Sequence, residues 1–180
     1  MKKKSKKSQV KLSDALIQKG QEQHEKGFLD RAEFSYQLAF ELTPNNPDLL
    51  HALGILNIQN GSYQQAKSYL AKASVKNNRN ALIWKDLSIS YYHLRRFGEA
   101  EAACRKAMQL EPNNLSAIYN LALILKGREK HFEALGLLRQ LATTSNTDIE
   151  FLAEYAETVS ICNHLNDQQQ QNSISQIRAG

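Results

Sequence analysis

Histidines are the residues of this chain that could hold a metal ion or move a proton. Three of the five, His24, His51 and His93, fall where they can face one surface. They lie on different segments, and His51 is offset from the other two by seven or more positions, so we do not expect their rings to converge on a metal. No HExxH motif, glycine-rich phosphate loop or nucleophile elbow is present. We therefore predict no catalytic residue, no metal site and no cofactor.

Acidic pairs have a structural explanation. Glu99 with Glu101, and Asp148 with Glu150, stand where helices are expected to begin. Carboxylates at a helix start are stabilised by the positive end of the helix dipole, so their presence needs no catalytic role.

The two cysteines, Cys104 and Cys162, have neither the spacing of a disulfide framework nor that of a metal site. Thiols of this kind are typical of a reduced compartment, where they act as small core residues. We therefore predict a cytoplasmic protein.

Positive charge is concentrated at the start of the chain. The formal net charge is +5, but six lysines lie between Lys2 and Lys11 and no acid occurs in residues 1–12, so the remainder carries about −1. The first aromatic residue is Phe28, so no ring is interleaved with the lysines to stack on bases. We predict that residues 1–12 form a disordered basic tail and not a specific nucleic-acid site. No apolar run is long enough to predict a membrane span.

The elements that must position these side chains follow a repeat of 34 residues. Ala32, Ala66, Ala100 and Ala134 mark the period, and Ala39, Ala73 and Ala107 follow seven residues after the first three. A fixed period of this length indicates a repeat architecture. The repeats are residues 13–46, 47–80, 81–114 and 115–148, followed by a capping helix over 149–165 and a polar C-terminal tail over 166–180.

Each repeat has the pattern of two amphipathic helices that cross closely. A small residue occupies the crossing position, and an asparagine or aspartate stands where the next repeat begins. The crossing residues are Gly20, Gly54, Ser88 and Ala122, and the capping residues are Asn46, Asn80, Asn114 and Asp148. Gly27 and Gly61 fit a left-handed turn between the helices. Arg95 and Glu129 replace them later, so we predict that those turns close differently.

The third repeat carries the strongest family pattern. Its marked residues are Trp84, Leu87, Tyr91, Phe97, Ala100, Ala107 and Pro112. With these residues the chain resembles the tetratricopeptide repeat (TPR) family over about residues 13–165. The resemblance implies an all-α fold, a right-handed superhelix of four helix-turn-helix repeats plus a C-terminal capping helix. It also implies a concave groove, lined by the first helix of each repeat, that commonly holds a peptide or another helix.

The resemblance further implies which side chains line that groove. Positions 2, 5, 9 and 12 of each first helix include an apolar stripe of Ile55, Ile58, Ile89, Tyr92, Tyr119 and Leu123, bordered by His51, His93, Lys85 and Lys126. An exposed apolar patch usually marks an interaction site, so we predict a partner with two or more apolar anchors and some negative charge. The alternative is that a tight superhelix or a returning tail covers the stripe as ordinary core.

One TPR subclass binds the C-terminal carboxylate of chaperones through lysine, asparagine and arginine. The matching positions here hold residues such as Ile17, Ala52 and Asp86, which cannot clamp a carboxylate. We therefore exclude that function.

We predict a non-enzymatic scaffold or adaptor that binds a protein or peptide. Two alternatives stay open. The stretch from His51 to Leu56 resembles repeats that precede a glycosyl- or sulfotransferase domain, which would make the chain a substrate-recognition arm. Small TPR proteins also resemble secretion or assembly chaperones for one client. The incomplete fifth repeat could support weak self-association through the C-terminal end.

Overall fold

The computed structural model describes the backbone of residues 2–144 and 149–179, and the side chains of residues 6–143 and 151–172. Within these ranges the regular elements are all α-helices. They are α1 (Lys2–Glu25), α2 (Leu29–Leu42), α3 (Pro47–Gln59), α4 (Tyr63–Lys76), α5 (Ala81–His93), α6 (Phe97–Leu110), α7 (Leu115–Gly127), α8 (His131–Thr144) and α9 (Ile149–Ala179). None of the described helices combines the length and apolar character needed to span a bilayer.

The helices form two compact units. The N-terminal unit, Met1–Pro112, contains the hairpins α1–α2, α3–α4 and α5–α6. The C-terminal unit, Asn113–Gly180, contains the hairpin α7–α8 followed by α9, which packs against α8.

Asparagines begin the first helices of the later repeats, as the sequence predicts. Each accepts a hydrogen bond from a backbone N–H in the first turn, which satisfies a donor that has no partner within the helix. The bonds join Asn46 to the Asp48 N–H (2.9 Å), Asn80 to the Leu82 N–H (3.0 Å) and Asn114 to the Ala117 N–H (3.0 Å). The fourth predicted cap, Asp148, lies outside the described residues.

Small residues at the crossing position allow each hairpin to close. A Cβ added to Gly20 would lie 2.4 Å from Cε1 of Tyr36, and one added to Gly54 would lie 2.4 Å from Cγ of Leu70. The large partners fill the space that the glycines leave, and Tyr36 and Leu70 are almost completely buried. Ser88 holds the same position in the third repeat, where it hydrogen-bonds with the smaller Cys104. The predicted close crossing is confirmed.

The turns inside the later hairpins differ from the prediction. Gly27 has φ of 78°, but Arg95 has φ of 60° and Glu129 has φ of 62°, so all three are left-handed. The Arg95 N–H donates to the Tyr92 carbonyl at 2.9 Å, as the Gly27 N–H does to that of His24. The prediction that these turns close differently is therefore wrong. The turn's hydrogen bonds hold the backbone there, although the conformation costs about 1–2 kcal/mol for a residue with a Cβ.

Both ends of the chain also differ from the prediction. Helix α1 begins at Lys2, inside the segment predicted to be a disordered tail, and α9 continues to Ala179, past the predicted end of the capping helix at residue 165. Residues 2–12 and 166–179 contain no glycine or proline to stop the helix, and lysine and glutamine are good helix formers.

Candidate functional site

The first helices of the N-terminal unit share one face, which we call the first-helix face and which comprises α1, α3 and α5. Two side-chain hydrogen bonds connect them: His24 to Gln59 between α1 and α3, and His51 to Asp86 between α3 and α5. Both pairs are separated by 35 residues, which is one repeat plus one residue. Because the same step recurs, the three helices lie side by side in a regular register.

An open cavity of about 640 Å³ lies on this face between α1 and α3. It is lined by Gln21, His24, Glu25, Tyr36, Asp48, His51, Ala52, Ile55 and Gln59. Its volume is within the range of known ligand sites. Of the predicted site residues, His51 and Ile55 meet here, but most of the lining is polar or charged, whereas the prediction was an apolar groove.

Tyr36 reaches this cavity from the core of the α1–α2 hairpin. Only 1% of the residue is exposed, and its ring meets the ring of His24 edge-on with centroids 6.4 Å apart. Burial, together with the negative charge of Glu25, raises the pKa of the phenol to about 12. The hydroxyl is therefore protonated at neutral pH and can both donate and accept a hydrogen bond.

Asp86 pairs with two of the predicted border residues. Its carboxylate, on a residue only 7% exposed, lies 2.7 Å from Nε2 of His51 and 3.2 Å from Nζ of Lys85. A buried carboxylate needs such partners because its desolvation is costly. His51 and Lys85, both predicted to border the groove, therefore contact the same internal acid.

His93 and Lys126 also have internal partners. The His93 ring stacks on Tyr63 at the start of α4, with centroids 4.1 Å apart and planes 6° from parallel. Burial lowers the pKa of His93, which favours the neutral ring. In the C-terminal unit Lys126 pairs with Glu154 and with Glu157, the second at 2.7 Å. No predicted border residue is therefore a free cation.

The predicted apolar stripe is divided between the two units and has more than one environment. Ile55, Ile89 and Tyr92 are half-buried residues of the N-terminal unit. Ile58 is half-buried as well and packs against the buried cluster that contains Leu70 and Leu87.

Tyr119 and Leu123 belong to the C-terminal unit, where both are half-buried. The ring of Tyr119 lies 6.1 Å from that of Phe151 on α9. Helix α7 is therefore in contact with α9 within the same unit.

Residues outside the predicted set complete the site. Tyr36 and Glu25 were not among the predicted groove residues, yet both line the cavity. The signal for Asp86 was present in the sequence, because it stands one repeat and one residue after His51. Among the described side chains, no group of three or more His, Cys, Asp or Glu could hold a metal ion.

Comparison with known proteins identifies the repeat. The tetratricopeptide repeat family matches residues 13–46 and residues 81–114. The peroxisomal targeting signal receptor of Saccharomyces cerevisiae is 28% identical over 166 residues, which cover 89% of this chain and 26% of the receptor. The chain spans only 11% to 28% of the length of the curated relatives that it matches.

Solved structures agree with the family match. TTC0263, a TPR protein of Thermus thermophilus, superposes with a TM-score of 0.69 at 17% identity, covering 89% of this chain and 88% of its own. YrrB, described as a TPR protein with an unusual peptide-binding site, superposes with a TM-score of 0.69 at 18% identity, covering 82% of this chain and 76% of its own. At identities this low the superpositions establish the fold alone, which is an all-α helical repeat. Together with the two family matches, they identify the chain as a tetratricopeptide repeat protein.

Proposed function

We propose that the N-terminal unit binds a peptide or helix of a partner protein on its first-helix face, and that the protein serves as a non-enzymatic scaffold. The observation that carries this proposal is the open cavity of about 640 Å³ on that face. A structural relative, YrrB, is itself described as having a peptide-binding site, which supports the same use of the fold.

Apolar atoms beside the cavity provide the driving force. Ile55 lines the cavity, and Ile89 holds the equivalent position one repeat later on α5. Tyr92 is three residues beyond Ile89, so both are on the same face of α5. All three are half-buried, and a partner that covers them removes apolar surface from water. Because α3 and α5 are already ordered, the entropy lost on binding falls mainly on the partner.

The charge of the partner follows from the internal ion pairs. His51 and Lys85 are held by Asp86, and burial lowers the pKa of His93, so these three residues offer little positive charge to select an acidic peptide. We therefore infer that apolar anchors, and not negative charge, dominate recognition.

A selection from displayed peptides tests the proposal. Phage carrying random dodecapeptides would be panned against the whole protein, and the selected peptides would be synthesised and titrated. Tyr92→Ala should weaken them by about tenfold, as truncation of an interface tyrosine does. Phe34→Ala is the matched control, since Phe34 is 63% exposed but lies on α2. If no peptide is selected, or if both variants bind equally well, the first-helix face is not the docking site.

A further inference from the structure

Two carboxylates line the cavity without a cationic partner. Glu25 is the last residue of α1 and Asp48 is the second residue of α3, and both are solvent-accessible. Among the described residues neither forms an ion pair, and no lysine or arginine lines the cavity. The two histidines of the lining direct Nε2 to Gln59 and to Asp86. The cavity therefore presents negative charge that the chain itself does not neutralise.

Tyr36 provides an independent observation. Its side chain is buried and lines the cavity, yet among the described residues its hydroxyl has no hydrogen-bond partner. Because the buried side chain of Tyr36 forms part of the cavity wall, its hydroxyl is available to accept a hydrogen bond from a ligand there. Glu25 lines the same cavity, and its negative charge adds to the effect of burial in raising the pKa of the phenol. A ligand that bridges the two must therefore donate more than one hydrogen bond.

We propose that this cavity binds an arginine side chain of the partner peptide, with its guanidinium between the carboxylates of Glu25 and Asp48 and against the hydroxyl of Tyr36. This inference rests on the proposed function and names the chemistry of one subsite of it. A guanidinium carries five N–H donors in a plane and no acceptor, which suits two carboxylates and a hydroxyl oxygen. The apolar part of the same side chain would lie along Ala52 and Ile55, which are also part of the lining.

The test is an NMR titration of the whole protein with N-acetyl-L-arginine amide, and in parallel with N-acetyl-L-citrulline amide, its neutral isostere. Arginine amide should shift the backbone amides of Gln21, Asp48 and Ile55, and citrulline amide should not. Glu25→Gln and Asp48→Asn should each raise the Kd for arginine amide about two- to fivefold, because the lost contacts are partly exposed. Glu41→Gln is the matched control, since Glu41 is an exposed glutamate on α2 and does not line the cavity.

Equal binding of citrulline amide, shifts confined to other residues, or equal Kd values for Glu25→Gln and Glu41→Gln would overturn the inference. The peptide selection separates its failure from that of the proposed function. Peptides that require Tyr92 but carry no arginine would leave the docking face intact and remove the arginine site. Failure to select any peptide would contradict the proposed function of the first-helix face. The titration would then decide alone whether the cavity binds a guanidinium group.

Discussion

The two units place equivalent repeat positions in different surroundings. His24 holds position 12 of the first repeat and bonds to Gln59, 35 residues further on. Lys126 holds the same position in the fourth repeat, but it bonds to Glu154 and Glu157, only 28 and 31 residues further on. Helix α9 is therefore out of register with a true fifth first helix by about one to two turns.

This shift determines which face stays available. In the N-terminal unit the regular register leaves the cavity open and leaves Glu25 and Asp48 unpaired among the described residues. In the C-terminal unit α9 places Phe151 beside Tyr119 and supplies the acids that hold Lys126. A repeat position alone therefore does not make a binding surface, because a later helix of the same unit can occupy the side chain at that position.

The largest expected effect is on the contact between α9 and α7. Phe151 is buried, lies against Tyr119 and stacks on Tyr155. Phe151→Ala should destabilise the C-terminal unit by about 3–5 kcal/mol, as removal of a buried phenylalanine does. Hydrogen exchange should show loss of protection in both α7 and α9. Leu152→Ala should change the free energy of unfolding by less than about 0.5 kcal/mol, because that residue is 48% exposed. Equal losses in the two variants would mean that α9 does not dock through Phe151.

A smaller effect is expected at the hairpin crossings of the N-terminal unit. Gly54→Ser adds a Cβ only 2.4 Å from Cγ of Leu70, so α3 and α4 must separate at a cost of about 1–3 kcal/mol. The second change Leu70→Cys reproduces the Ser88 and Cys104 pair of the third repeat and should recover part of that loss. Urea unfolding of both single variants and the double variant gives the coupling free energy. If the changes in unfolding free energy are purely additive, the larger residue at position 54 does not require a smaller one at position 70.

Much of the fold could be predicted because it depends on local signals. The alanines at the 34-residue period, Ala32, Ala66, Ala100 and Ala134, are all fully buried, and the expected caps form at the three asparagines that the structure describes. The errors arose where residue type was taken as decisive. Arg95 and Glu129 adopt the glycine conformation because backbone hydrogen bonds enforce it.

Less of the site could be predicted, because the pairing of a side chain depends on residues far along the sequence. His51 and Ile55, which the repeat positions assigned to the groove, both line the cavity. The repeat positions could not reveal that Asp86 holds His51 and Lys85, or that α9 supplies partners to Lys126, since a position assignment considers one helix at a time. Proximity of charges from neighbouring helices has to be read from the packed structure.

A weaker test of the comparison uses pH. Pairing with Lys126 lowers the pKa of Glu157 below 4.5, so its contribution to the docking of α9 is present above that pH and is lost as the pH falls through the lowered pKa. Burial alone would lower the pKa of Lys126, but its pairs with Glu154 and Glu157 raise the pKa above 10.5 overall. The contribution of Lys126 to the docking of α9 therefore persists until the solution is strongly alkaline. Hydrogen exchange in α9 should therefore differ between wild type and Lys126→Met at pH 7 and coincide well below pH 4.5. Lys72→Met, at an exposed lysine of α4, should match wild type throughout.

The smallest effect concerns the two cysteines, one of which lies in each unit. Burial raises the pKa of Cys104 to about 11, so at pH 8 only about one molecule in a thousand carries the reactive thiolate. Cys162 is also buried and its pKa is also raised, but it lies on α9, the terminal helix of its unit, and needs only that helix to detach. Local opening is cheapest at such terminal elements, so Cys162 should react with Ellman's reagent at least about tenfold faster than Cys104 when each is measured in the Cys→Ala variant of the other. Adding Phe151→Ala should accelerate Cys162 and leave Cys104 unchanged, because the two cysteines belong to separate compact units. Equal rates for both thiols, or equal acceleration of both, would show that α9 opens only when the whole protein does.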